Sequence, residues 1–257
     1  MTTLLVDTLS AVQWEPWPAP LVPPGIAVFR YLIRADDQPW LYELLQTEEI
    51  DRAARFRQVA DRQRFIAGRG WLRMLAGQLS RQSPQQVRFS VGPSGKPSLV
   101  LADGSVHHWH INVSHSGDWV LLAVGSVPVG VDVEWIRPNW PFQDLVETSF
   151  NAHDQAQLAA SPTPRDLFYT LWTRKESLFK ATGKGLTNDF MSISASKGVH
   201  QVVTGLPEGS GTWSIRSFTV AHAYVGAVAC HCPVVSARFF TLDKPALGCQ
   251  ASLFGHQ

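Results

Sequence analysis

GVDVE, residues 130–134, sets two carboxylates, Asp132 and Glu134, two positions apart in a run that reads as a strand. Successive strand side chains point to opposite faces, so an i, i+2 pair shares one face and its oxygens can converge on one cation. Hard oxygen ligands suit Mg²⁺, which keeps part of its water shell and takes one or two carboxylates together with substrate phosphates. Alone, such a pair is more often a solvated strand edge. A second stretch, WTRKESLFKATGKGL (172–186), gives it company. It ends a helix that the pattern predicts over 164–182, with Pro164 in the first turn and Gly183 at the C-cap. Leu167, Phe168, Leu171, Trp172, Leu178 and Phe179 form its apolar stripe, with Glu176 on the shoulder and Lys180 one turn further on. Lys175 falls near the middle of the stripe, as a snorkelling stem or as a cation aimed into a cleft. The Glu176–Lys180 spacing is also that of an ordinary surface pair.

Upstream, residues 26–33 read as a strand, Leu41 to Val59 as a helix, and Asp61 to Leu79 as a second helix. Phe65, Ile66, Leu72, Leu75 and Leu79 give that second helix its apolar face, and Arg62, Arg64, Arg69 and Arg73 its cations. Strands follow at 87–91, 109–113, 119–124 and 129–134. GPSGKP (92–97) and SHSGD (114–118) are turns. The first reads as a hairpin turn exposing Lys96. In the second, His115 stands beside two hydroxyls, as a surface imidazole or as part of a phosphate cradle. In HHWH (107–110) His108 and His110 are read as sharing a strand face, but no third metal ligand has an evident spacing, so a hairpin carrying exposed histidines accounts for the stretch. Pro16, Pro18, Pro20, Pro23 and Pro24 make the opening segment an extended lead-in rather than packed regular structure. VSHSGDWVLLAV (113–124) echoes VAHAYVGAVA (220–229) if two residues are skipped, matching His115 with His222 and Trp119 with Tyr224. The echo suggests two α+β halves, divided here as 1–127 and 128–257.

The whole chain narrows the choice. Its 257 residues can bury a substantial core, and 45% hydrophobic and 17% charged residues are the balance of a soluble globular protein. A net charge of +1 provides no global field for nucleic acid or an anionic membrane. No apolar run reaches the ~20 residues of a membrane span. No secretory signal is read at the N-terminus, so a reducing cytoplasm is expected. Cys230 and Cys232 flank His231 and lack the second spaced pair that zinc would need, so separate buried thiols are expected, with Cys249 in a tail. No GxxxxGK[ST], GxGxxG or GxSxG signature is present.

Taken in this order, GVDVE followed by WTRKESLFKATGKGL resembles the signature pair of the 4′-phosphopantetheinyl transferases. GPSGKP and NVSHSGD (112–118) resemble that family's accessory motifs, and RFIAGRG (64–70) extends the likeness with less specificity. The length is similar to the Sfp-type class. That likeness implies an α+β fold of two similar halves forming an intramolecular pseudodimer. Residues 1–127 would contact the nucleotide end of coenzyme A, and 128–257 would carry the metal-binding and catalytic motifs. The activity implied is transfer of 4′-phosphopantetheine from coenzyme A to a serine of an apo acyl or peptidyl carrier protein, as a holo-acyl-carrier-protein synthase type of transferase. The co-product would be adenosine 3′,5′-bisphosphate. On this likeness Asp132, Glu134 and Glu176 hold Mg²⁺ or Mn²⁺, and Glu176 takes the serine proton directly or through water. Lys180 attends the leaving group, and Arg64 and His115 take the 3′-phosphate. Lys96 and Ser114 grip the nucleotide, and Arg52 and Lys175 assist. Carrier docking is expected on a partly apolar surface near the site, with Phe142 and Leu145 as candidates. The chain is expected to be a monomer whose partners are coenzyme A and the carrier, without nucleic acid or membrane. Competing readings are a non-catalytic module that binds coenzyme A or a carrier, and another Mg²⁺-dependent pyrophosphate-cleaving enzyme.

Overall fold

A computed structural model of the chain describes residues 2–17, 25–92, 95–101, 104–183, 189–202, 206, 211–233 and 237–245. Its strands are β1 (Thr2–Thr8), β2 (Trp14–Pro16), β3 (Ile26–Leu32), β4 (Arg88–Val91), β5 (Pro97–Val100), β6 (His110–Ser116), β7 (Trp119–Gly125), β8 (Val129–Trp135), β9 (Gly198–Val202), β10 (Thr212–Ala221), β11 (Tyr224–Cys230) and β12 (Ala237–Thr241). Its helices are α1 (Gln38–Glu43), α2 (Thr47–Ala54), α3 (Val59–Ser80), α4 (Val146–Ser149), α5 (Ala152–Ala160), α6 (Pro164–Thr182) and α7 (Asp189–Ser192). The 164–182 helix has its expected bounds, closed by Gly183 in the left-handed region at φ 72°.

Each half is built on a strand, a long helix and a hairpin. In the first, β3 leads to α3 and then to β6–β7, and β3 pairs antiparallel with β7. In the second, β8 leads to α6 and then to β10–β11, and β8 pairs antiparallel with β11. The two sheets have the orders β2-β12-β3-β7-β6 and β8-β11-β10-β1-β9, with β4 and β5 forming a separate hairpin. Alternation along the strands stacks the molecule as helix, sheet, sheet, helix. Phe29, Tyr31, Val120 and Leu122 face α3, while Val28, Leu121 and Ala123 face Val129, Val131, Val133 and Val228 of the other sheet. Beyond that sheet, Ala227, Ala229 and Ile215 pack on Leu178 and Phe179 of α6. The fold is the expected α+β pseudodimer.

Strand membership crosses the division at 127/128 at both ends of the chain. β1 runs parallel to β10 in the second sheet, and β12 runs between β3 and β2 in the first. The opening segment is therefore not a loose lead-in. Leu4 and Val6 are core residues, and Trp14 packs on Phe218 and Phe239. Residues 18–24, where most of the prolines lie, and Cys249 are outside the described residues.

The helix expected over 41–59 is two helices, with α2 opened by a capping box in which the Glu49 side chain accepts the Gln46 N–H at 3.0 Å. The hairpin echo holds in part. β6–β7 turn through Gly117-Asp118 and β10–β11 through His222-Ala223, so Trp119 does correspond to Tyr224, but His115 lies within β6 whereas His222 lies in the turn, and a register shift between Thr219 and Ala221 makes Thr219 the counterpart of His115. Cys230 and Cys232 are joined as a disulfide, with Cα atoms 5.6 Å apart, instead of lying as separate thiols.

Candidate active site

β6 and β8 are the outer strands of their sheets, and they meet along a seam. Side chains of β6, rather than a backbone ladder, satisfy the edge of β8. Asn112 Oδ1 accepts the Val131 N–H at 2.8 Å, and Ser116 Oγ accepts the Trp135 N–H at 3.1 Å. Two residues apart on β6, Ser114 and Ser116 match the carboxylates two residues apart on β8. Ser114 Oγ donates to Asp132 Oδ1 at 2.7 Å, and Ser116 Oγ donates to Glu134 Oε2 at 2.7 Å. Strand alternation thus places both carboxylates on the face that α6 covers.

Gly130 brings that helix close. A Cβ on Gly130 would collide with the Ser177 carbonyl and with the backbone of Ala181, so only glycine permits α6 to lie against β8 here. Close packing delivers Lys180, whose Nζ reaches Asp132 Oδ1 at 2.6 Å and Ser114 Oγ at 3.0 Å. Ser177 is fully buried and bonds back to the Arg174 carbonyl at 2.8 Å, away from the carboxylates.

Crowding of like charges sets the electrostatics. Burial and then the Asp132 charge push Glu134 up to about 7, against the Ser116 hydrogen bond. Burial and Asp132 likewise raise Glu176, which Lys180 partly offsets. Burial by itself would lower Lys180, but the Asp132 charge and hydrogen bond, with Glu176 and Glu134, lift it and keep it an ammonium. Asp132 is 3% exposed, and its Oδ2 is buried with no hydrogen-bond partner. An acceptor left bare in this way is costly unless something cationic or protic meets it. Among the described residues no three His, Cys, Asp or Glu side chains gather closely enough to hold a metal ion. The two carboxylates of β8 form the nucleus of the site, and Glu176 stands within electrostatic range of them.

The expected anion contacts divide across β6. His115 lies on the face opposite Ser114, exposed and turned toward α3. Partial desolvation of the ring, followed by the Arg64 and Lys180 charges, lowers its proton affinity below that of an ordinary imidazole. Arg64 of α3 pins the turn between β6 and β7 by donating to the Gly117 carbonyl at 3.0 Å, and it pairs with Asp61 at 2.5 Å. Gly117 is at φ 54°, and a Cβ there would strike the Tyr224 hydroxyl, which accepts the Asp118 N–H at 3.1 Å. Arg52 lies with its guanidinium 5.1 Å from the centroid of the Phe65 ring.

Two lysines are placed differently from the expectation. Lys175 is fully buried, donating to the Ser149 and Phe190 carbonyls at 2.7 Å each, so it cannot reach a cofactor. Its place near the middle of the apolar stripe is that of an internal tie, and burial lowers it to about 8. Lys96 Nζ donates to the carbonyls of Val129, Lys180 and Ala181 at 2.8 to 3.0 Å, fastening the last turn of α6 to the start of β8. All three N–H bonds of an ammonium are spent there, so a nucleotide contact by Lys96 would require their exchange. Phe142 is buried against Phe168 and so does not form a docking surface, and Leu145 is partly buried beside it. His108 lies outside β6 and does not share a strand face with His110. Residues 93–94 of GPSGKP and 184–186 after α6 are outside the described residues.

Residues 35–127 match the family model for the N-terminal domain of 4′-phosphopantetheinyl transferase, and residues 128–229 match that of the 4′-phosphopantetheinyl transferase superfamily. The chain is 30% identical to the 4′-phosphopantetheinyl transferase Sfp of Bacillus subtilis (strain 168) over 210 residues, covering 79% of this chain and 89% of Sfp. It is 31% identical to the 4′-phosphopantetheinyl transferase psf-1 of Bacillus pumilus, over 72% of this chain and 78% of that one. Against the 4′-phosphopantetheinyl transferase HetI of Nostoc sp. it is 35% identical over 55% of this chain and 61% of the other. The chain belongs to the 4′-phosphopantetheinyl transferase superfamily.

The two family-model matches abut at residues 127 and 128, between β7 and β8. No helix among the described residues is long and apolar enough to cross a membrane. Three further residues shape the candidate site. Asn112 and Ser116, which the sequence places in NVSHSGD without a role toward the carboxylates, stand at i, i+2, i+4 spacing with Ser114, a legible sign of one polar strand face. Tyr224 gave no local signal, since its contact is with Asp118 of the other half.

Proposed function

We propose that the protein transfers the 4′-phosphopantetheine arm of coenzyme A to a serine hydroxyl of an apo acyl or peptidyl carrier protein, releasing adenosine 3′,5′-bisphosphate. One observation carries the reading: Asp132 and Glu134 of a strand share a seam with Lys180 of a helix about 40 residues further on in sequence, Lys180 pairs with Asp132, and Glu176 of the same helix stands within electrostatic range. The donor set fits a hard divalent cation, since it is all oxygen and includes the bare, buried Oδ2 of Asp132. Asp132 and Glu134 would hold Mg²⁺ or Mn²⁺, with Glu176 close by and substrate phosphate and water completing the shell. When bound, that ion would draw off negative charge from the pyrophosphate as its P–O bond breaks.

The remaining chemistry belongs to the chain. Glu176, with raised proton affinity and no protein hydrogen bond among the described residues, is suited to take the proton of the incoming serine directly or through water. Lys180 stays charged beside Asp132 and can meet the departing phosphate oxygen. Arg64 and His115, on the α3 side of β6, would receive the 3′-phosphate, with Arg52 further out. A carrier delivering its serine must approach where Glu176 is open to solvent. The protein is expected to act as a monomer in the cytoplasm. Incubation of the full chain with coenzyme A, Mg²⁺ and apo carrier proteins should give the mass gain of a phosphopantetheine group. Absence of that gain on several carriers, with folded protein, would overturn the proposal.

A further inference from the structure

The hydroxyl of Ser116 has one proton and two lone pairs, and its surroundings dictate where the proton goes. The Trp135 N–H, 3.1 Å away, can only donate, so Ser116 Oγ must accept there. Its own proton is then directed at Glu134 Oε2, 2.7 Å away. The same logic repeats two residues earlier. Lys180 Nζ donates to Ser114 Oγ, and the Ser114 proton goes to Asp132 Oδ1. Each carboxylate therefore has one oxygen held by a serine of the other half. The second oxygen, Asp132 Oδ2 or Glu134 Oε1, takes no hydrogen bond among the described residues. A glutamate on a strand carries three rotatable bonds, and Ser116 at 7% exposure is the rigid neighbour that removes that freedom.

We infer that Ser116 is a positioning residue that fixes Glu134 through Oε2 so that Oε1 is presented, together with Asp132 Oδ2, to a divalent cation. The inference rests on the cation reading of Asp132 and Glu134 given above. Partners that orient a metal ligand through a hydrogen bond are worth about 10- to 100-fold in metal affinity when removed. Ser116 is thus the means by which the first half of the chain sets the cation affinity of the second.

The test titrates Mn²⁺ into the full chain with coenzyme A present and follows loss of the free-ion paramagnetic signal. Ser116→Ala should weaken Mn²⁺ binding about 10- to 100-fold, while Ser116→Thr, which keeps the hydroxyl, should stay within about threefold of the parent. In transfer assays the Mg²⁺ concentration for half-maximal rate should rise in Ser116→Ala, with kcat at saturating Mg²⁺ changed far less. Coenzyme A affinity measured in chelator should be unaltered. If Ser116→Ala does not fold, Ser116→Cys, whose thiol is a weak donor, should show the loss instead. Unchanged Mn²⁺ affinity in the folded Ala or Cys variant overturns the inference, and so does an equal loss in Ser116→Thr, which would assign the effect to packing. A parent that binds no Mn²⁺ overturns the cation reading itself and this inference with it.

Discussion

Glu176 and Lys175 are neighbours on one helix turn with opposite fates. Glu176 lies at the seam, raised by burial and by Asp132, whereas Lys175 is sealed among carbonyls. Glu176→Gln keeps the shape and removes the base, so transfer should fall about 10²- to 10⁴-fold while coenzyme A affinity changes little, as a transfer assay beside a binding isotherm would show. The lowered proton affinity of His115 gives a pH signature. An anion bound at the ring favours the imidazolium, so the complex takes up a proton that the free protein lacks, and affinity should strengthen as pH falls. The ratio of affinities for adenosine 3′,5′-bisphosphate, parent over His115→Gln, should therefore grow between about pH 8 and about pH 6. Calorimetry at both pH values checks it, and a constant ratio would remove His115 from the anion site. Strand and helix periods made legible that Asp132 shares a face with Glu134 and that Glu176 lies one turn from Lys180, whereas joining the two pairs into one site rested on the resemblance of their motifs to a family. The fate of Lys175 was not legible, since an apolar stripe tells that a position is covered but not whether carbonyls wait beneath the cover.

At the level of elements, the approach of α6 to β8 determines whether the site exists. Gly130→Ala should force the helix outward, cost about 1 to 3 kcal/mol in urea denaturation, and reduce transfer more than that loss of stability alone would, because Lys180 and Glu176 move with the helix. Transfer at the parent level in Gly130→Ala would show that the close approach is dispensable. The bounds of α6 were readable from Pro164 and Gly183, whose backbone chemistry is local. The break between α1 and α2 was less visible, because it depends on the Gln46–Glu49 capping box inside what reads as one amphipathic run. Lys96 shows the limit of turn reading. Its loop looked like an exposed hairpin, and only the placement of α6 reveals that the lysine closes that helix's C-terminus.

Across the whole molecule, the exchanged strands β1 and β12 bind the halves more tightly than a linker between β7 and β8 would. Residues 1–127 and 128–257 expressed apart should each fail to fold cooperatively, since each lacks a strand that its sheet takes from the other. Mixing the two should restore a single unfolding transition followed by circular dichroism. Independent folding of either piece would contradict this. Pairing of distant strands was beyond reach of the sequence, because β1 and β12 carry no mark of which sheet will accept them, whereas the hairpin echo at 113–124 and 220–229 was visible from its turn grammar. The exchange also governs how the chain is made. β1 leaves the ribosome about 200 residues ahead of its parallel partner β10, which begins at Thr212, so at about 5 to 20 residues per second it waits on the order of ten to forty seconds for that partner. A nascent chain of this kind has reason to depend on holdase chaperones, and its yield should respond to translation speed more than its final stability would suggest.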